Sequence, residues 1–240
     1  GNSEFIVDGC RLIGGEIYGC TFVSMYNLEF TNNYLELSAY NNPPFHFSSR
    51  VDEFGSSHLI SGNTINTGSW NQTDQSFYNG SSDNDSNIRD SLIITGNIFY
   101  GPGNIYFTSY EPDYTLVKRN SFIETGGSSY AAPTFRGNVN VLNNNIPLVK
   151  IDGGRYPSET LIFQNNIVDE RIYILENSEG AIIAYNNFFQ LPDYTDYSNG
   201  PVGLGTIFTF NANGDSADTY MNINEKVLYV PSDSTIHLSW

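Results

Sequence analysis

Apolar positions along this chain recur around asparagine. The phrase apolar–x–x–Asn–x–apolar occurs at Phe30–Asn33–Leu35, Ile60–Asn63–Ile65, Ile94–Asn97–Phe99, Val117–Asn120–Phe122, Val141–Asn144–Ile146, Ile162–Asn165–Ile167 and Ile183–Asn186–Phe188. The asparagines lie 30, 34, 23, 24, 21 and 21 residues apart. An imperfect copy, Val7–Cys10–Leu12, stands 23 residues before Asn33 and carries cysteine in the asparagine's place. Self-similarity at such a period is the mark of a solenoid, in which each repeat buries its apolar face only against its neighbours.

Between the asparagines lie short β-rich runs such as "NIYFTSY", "PLVKID" and "RIYILEN", broken by Gly, Pro and Asn. No stretch shows the 3.6-residue apolar period of a helix. Each repeat therefore reads as one coil of two or three short strands, with coils stacked into parallel sheets. The asparagine has a physical reason to recur. It tolerates the left-handed backbone of a tight corner. Its amide can donate to one neighbouring coil and accept from the other, so that a column of asparagines satisfies itself in a closed interior. A leucine-rich repeat shares the phrase L-x-L-x-x-N-x-L, but its returns have regular length. The returns here are strand-like and carry insertions. The expected fold is all-β: a single-domain, right-handed parallel β-helix of about eight coils, with residues 190–240 as a terminal coil or cap.

The phrases "HLISGNTI" (His58–Ile65), "LIITGNIF" (Leu92–Phe99) and "ENSEGAIIAYNNFF" (Glu176–Phe189) resemble repeats of the pectin-lyase-like superfamily of right-handed parallel β-helices. The resemblance runs from about Phe5 to Phe189. It implies a fold more than an activity, because that superfamily includes polysaccharide lyases, glycoside hydrolases, phage tailspikes and adhesins. The tail "EKVLYVPSDSTIHLSW" resembles the endings of repeat proteins from the Bacteroidetes cell surface.

Insertions set the organisation. "AYNNPPFHFSSRVDEFGSS" and "TGSWNQTDQSFYNGSSDNDSNIRD" interrupt the early repeats, and the second is expected to leave the coil as a surface loop. The later repeats are compact. No amphipathic segment caps the start, so upstream residues, another domain or a subunit is expected to cover that end. No signal peptide is visible, and the chain reads as a mature or trimmed form. Cys10 and Cys20 read as two buried thiols, with a disulfide as the alternative that sequence cannot place.

Charge narrows the partners. There are 26 acidic residues against 10 basic ones, a net charge of −16. Such a surface repels nucleic acid and anionic membranes. No apolar run is long enough to span a bilayer. The expected location is extracellular or at a cell surface, and no oligomeric state follows.

Against that acidic background, one strand family has a distinct exposed face. Alternation along "FHFSSR", "NIYFTSY", "PTFRG", "LVKIDGG" and "RIYILEN" turns Phe107, Phe135, Ile151 and Ile174 inward. Tyr106, Arg136, Lys150, Asp152 and Tyr173 then share the outer face. Tyrosine rings stack on pyranose faces, and Arg or Lys pairs with uronate carboxylates. The leading expectation is a non-catalytic, glycan-binding or adhesive surface protein. The same face would serve a polysaccharide lyase, with Lys150 or Arg136 as base and Asp152 beside it, often aided by Ca²⁺. An inverting hydrolase needs two carboxylates about 6.5–9.5 Å apart. No Asp-rich constellation repeats at coil spacing to supply one, and Asp52–Glu53 and Asp169–Glu170 are isolated. A structural spacer or phage fibre segment is the third reading.

Asp83, Asp85, Asn87 and Asp90 place oxygens alternately, as at the start of a Ca²⁺ loop. The glycine and glutamate that complete an EF-hand are missing, and a solvated acidic loop accounts for the run. The sequons at Asn71, Asn79 and Asn84 are common by chance in a chain rich in Asn and Ser. His46, His58 and His237 show no zinc spacing.

Overall fold

The structure is a computed structural model. It describes residues 4–14, 20–23, 27–37, 45–49, 55–66, 75–79, 90–101, 105–110, 113–123, 132–153, 159–188, 199–206, 209–210 and 212–223. The chain forms a right-handed parallel β-helix of eight coils with three faces, and no helix occurs among the described residues. The first face is an eight-stranded sheet of Glu4–Asp8, Asn27–Thr31, Ser57–Ser61, Ser91–Thr95, Tyr114–Lys118, Val139–Leu142, Ile162–Gln164 and Ile182–Ala184. The second begins at Arg11–Gly14 and ends at Asn187–Phe188. The third carries Cys20–Val23, Phe45–Ser49, Gln75–Asn79, Ile105–Ser109 and Pro133–Gly137. Two long strands, Asn145–Asp152 and Ile167–Ile174, run through the corner and join the second face to the third. The later strand carries one extra residue opposite Pro147, a bulge in the register between Ile146 and Leu148.

One insertion folds differently from expectation. Gln75–Asn79, inside the segment expected to loop out, is a third-face strand paired with Phe45–Ser49 and Ile105–Ser109. Its Phe77 is fully buried, and burying an aromatic ring holds the segment in the coil. Cys10 is exposed and free, which corrects the expectation of two buried thiols.

The core follows from the coil spacing. Stacking places equivalent residues about 4.8 Å apart, close to the distance of two stacked rings. Phe77, Phe107 and Phe135 accordingly stack with centroids 4.9 and 5.0 Å apart, and Phe99 stacks on Phe122 at 4.9 Å. The two columns meet edge to face, Phe99 against Phe107 at 6.1 Å and Phe107 against Phe122 at 6.0 Å. Each buried ring contributes about 1.5–3 kcal/mol relative to exposure.

The corner between the first and second faces carries the asparagine column. Asn33, Asn63, Asn97, Asn120, Asn144, Asn166 and Asn186 stack there, all buried. Each rung from Asn63 to Asn186 repeats one pattern. Asn63 Nδ2 donates to Asn97 Oδ1 (2.9 Å) and back to Phe30 O (2.8 Å). Its Oδ1 accepts from Asn33 N (2.8 Å) and Asn33 Nδ2 (3.0 Å). All four hydrogen-bonding positions of the amide are thereby filled.

Two details differ from the expected column. Asn166, not Asn165, is the rung in the seventh coil, accepting from Asn144 N at 2.9 Å. The buried flanks are Phe163 and Val168, while Ile167 is 37% exposed. The left-handed residue is also not the rung but the one before it. Asn32, Arg119, Asn143, Asn165 and Tyr185 have φ between 55° and 57°, and Gly9, Gly62 and Gly96 take the same place. Asparagine is needed at the rung for its amide, while the left-handed turn falls on the position before it.

The column has an end on each side. Cys10 N donates to Asn33 Oδ1 (2.8 Å), which fits the imperfect first copy. Beyond Asn186 an eighth asparagine, Asn222, accepts from Asn186 N and Nδ2, both at 2.9 Å. Asp218 then takes the place of the next rung. Its carboxylate accepts from Asn222 N, Tyr220 N and Gly205 N at 2.9 Å and from Asn222 Nδ2 at 3.0 Å. A carboxylate accepts and does not donate, so the relay stops there.

Candidate functional site

The third face presents the residues singled out from sequence, and backbone register places them. Phe107, Phe135 and Ile151 lie in one inward column, continued by Ile174, and all are buried. Alternation turns the flanking positions outward. One outer column reads Tyr106–Thr134–Lys150–Tyr173 on consecutive coils. The adjacent column reads Thr108–Arg136–Asp152. All five predicted residues are therefore on one face, with Lys150 and Tyr173 on neighbouring strands and Tyr106 two coils from Lys150.

Asp152 stands next to Arg136 in its column, and Arg136 Nε lies 3.6 Å from Asp152 Oδ2. The two side chains are 39% and 20% exposed, so the attraction is screened and worth at most about 1 kcal/mol. The Nε atom itself is buried and makes no hydrogen bond. Thr134, between Tyr106 and Lys150, is buried despite its outward position, and its Oγ1 has no partner. The face thus combines aromatic surface, two cations, a carboxylate and incompletely satisfied polar atoms.

Glycine closes the strand ends beneath this face. Gly137 follows Arg136 at φ 78°, and a Cβ there would run into Ser109 O. Gly153 follows Asp152, and a Cβ there would run into Asn177 O. Both positions require the close backbone approach that only glycine allows, which fixes where Arg136 and Asp152 leave the sheet.

Of the four candidate Ca²⁺ ligands, Asp83, Asp85 and Asn87 lie outside the described residues. Asp90 is buried at the corner between the third and first faces, where its Oδ1 accepts from Ser56 N (2.7 Å). Among the described residues no group of three or more His, Cys, Asp or Glu is placed to hold a metal ion. Nor is any described helix long and apolar enough to cross a membrane.

Sequence reasoning missed this corner. Asp90 N donates to Asp113 Oδ1 (2.7 Å), and the next position in register is Gly137. His58 lies two residues after Ser56 in the first-face strand, fully buried, with Nε2 2.8 Å from Ser56 Oγ and its ring edge-on to Phe47 at 4.8 Å. Burial lowers its pKa to about 4. Nothing in the sequence marks the corner, because a serine, two aspartates and a glycine fill the one position.

No protein-family model, curated protein or solved structure matches the chain.

Proposed function

We propose that this is an extracellular or cell-surface β-helix protein that binds acidic polysaccharide on its third face without cleaving it. The observation that carries this reading is the pairing of two outer columns: Tyr106–Thr134–Lys150–Tyr173 beside Thr108–Arg136–Asp152. Tyr106 and Tyr173 offer ring faces to pyranose rings. Lys150 and Arg136 offer charge to uronate carboxylates. Both cations stand in these columns on a chain with net charge −16. Lys150 and Arg136 thus offer an acidic ligand local attraction on a chain whose net charge is repulsive. The pectin-lyase-like resemblance of the repeats is consistent with polysaccharide as ligand.

A glycan array tests this. Uronate-bearing chains should bind, and Arg136→Ala and Lys150→Ala should each weaken the best of them at least tenfold, about 1.4 kcal/mol. Hits left unchanged by both substitutions would reject the face. Incubation with the same chains, with and without Ca²⁺, should give no rise in absorbance from unsaturated product. A rise would make the protein a lyase.

A further inference from the structure

The first face carries an outward column that no role so far explains. In register from the first coil to the eighth it reads Ile6, Glu29, Leu59, Ile93, Leu116, Asn140, Ile162, Ile182. Ile6 is 56% and Ile182 41% exposed, and the residues between are partly exposed. Apolar side chains in such a row bury flank against flank but leave their tips in water.

Two features set this face apart. From Ser57 to Ala184 its outward positions include no Asp or Glu, although the chain holds 26, and Lys118 is the one charge there. Over its first seven positions, Ile6 to Ile162, the column also alternates alike from either end. About Ile93, apolar Leu59 mirrors Leu116, polar Glu29 mirrors Asn140, and Ile6 mirrors Ile162.

We infer that the first face is the contact surface of a two-fold dimer in which two copies pack with their helix axes antiparallel. A two-fold axis running along the strand through Ile93 places Ile93 on itself. It sets Leu59 against Leu116 of the second copy and Glu29 against Asn140 of the second copy. In the next column Lys118 meets Ser61 of the second copy, and Asp8 meets Gln164 of the second copy. No like charges oppose. The parallel alternative, with the axis along the coil stack, sets Glu29 against itself and Glu4 against Asp8 of the second copy, which is unfavourable.

The footprint is about seven coils by one five-residue strand, roughly 30 by 16 Å. Two such surfaces bury on the order of 1,000 Å², the low end for a specific interface. Association is therefore concentration-dependent. Because two copies of charge −16 repel at long range, added salt strengthens it.

Sedimentation equilibrium from about 5 to 500 µM tests the inference. The wild-type chain should move from monomer to dimer, more readily in higher salt. Ile93→Glu, which opposes two carboxylates on the axis, should weaken the dimer at least tenfold while leaving the circular dichroism spectrum unchanged. A second measurement does not depend on that variant. Leu59→Lys and Leu116→Glu proteins should each be monomeric alone and should dimerise when mixed, since the lysine of one faces the glutamate of the other. A wild-type monomer throughout, a trimer, or a mixture no heavier than its components would overturn the antiparallel dimer.

Discussion

Two corners of the same coil solve the same problem with different side chains. At the corner between the first and second faces, each rung is an amide, which donates and accepts. The column therefore propagates from Asn33 to Asn222 without interruption. At the corner between the third and first faces the rungs are Ser56, Asp90 and Asp113. Each carboxylate accepts the backbone N–H of the coil before it. A carboxylate has no proton to pass on, so these rungs do not relay one another, and Gly137 supplies no side chain at the next position, where Ser109 O and the Glu159 carboxyl fill the space instead. Repetition is tolerant of insertion at the first corner because any two asparagines brought together by stacking find the same bonds. At the second, each coil is solved locally, and that is where the sequence varies.

The sharpest way to break this comparison is to exchange amide and carboxylate at each corner. Asn120→Asp keeps shape but removes the donors to Asn144 Oδ1 (3.0 Å) and Ile94 O (3.0 Å), and sets a charge against another oxygen. We expect a loss of about 3–5 kcal/mol in urea unfolding, typical of a buried unpaired charge. Asp90→Asn keeps the Oδ1 that accepts from Ser56 N, so its cost should stay below about 1 kcal/mol. Equal losses at the two positions would mean that the amide relay is not what distinguishes the corners.

A pH titration comes next in size, through the histidine beside Ser56. The folded pKa of His58 lies near 4, below the ordinary 6.5. Above pH 6.5 neither state is protonated and stability does not depend on this group. As pH falls below 6.5 the unfolded chain takes up the proton first, and stability drains until the folded pKa is reached. The loss amounts to about 3 kcal/mol by pH 4. His58→Gln, which retains a partner for Ser56 Oγ, should flatten the unfolding free energy between pH 7 and pH 4 by that amount. An unchanged pH profile in the variant would show that the carboxylates carry the whole acid response.

Much of the asparagine corner was legible because its requirement is chemical: one amide, flanked by inward apolar residues, at every turn. It failed where two asparagines adjoin. In "LIFQNNIVDE" either asparagine has an apolar residue three before and two after, and only burial of Phe163 and Val168 decides for Asn166. Asn222 escaped because Thr219 and Asn224 replace its apolar flanks. The five residues of the third face were legible through their inward neighbours, whose alternation survives insertions. The second corner was not, since a serine, two aspartates and a glycine fill one structural position.

The smallest effect tests which asparagine of the pair is the rung. Asn165 sits at φ 55° in the left-handed turn, where its backbone N–H donates to Ala184 O (3.4 Å). A glycine there adopts the same turn freely, at some entropic cost in the unfolded chain. Asn165→Gly should therefore change the unfolding free energy by less than about 0.5 kcal/mol. Tyr185→Gly, one coil on at φ 57°, relieves a residue that tolerates this region poorly and should gain about 0.5–1 kcal/mol. Were Asn165→Gly instead to cost as much as Asn120→Asp, the rung would be Asn165 and the seventh coil would be threaded one residue out of step.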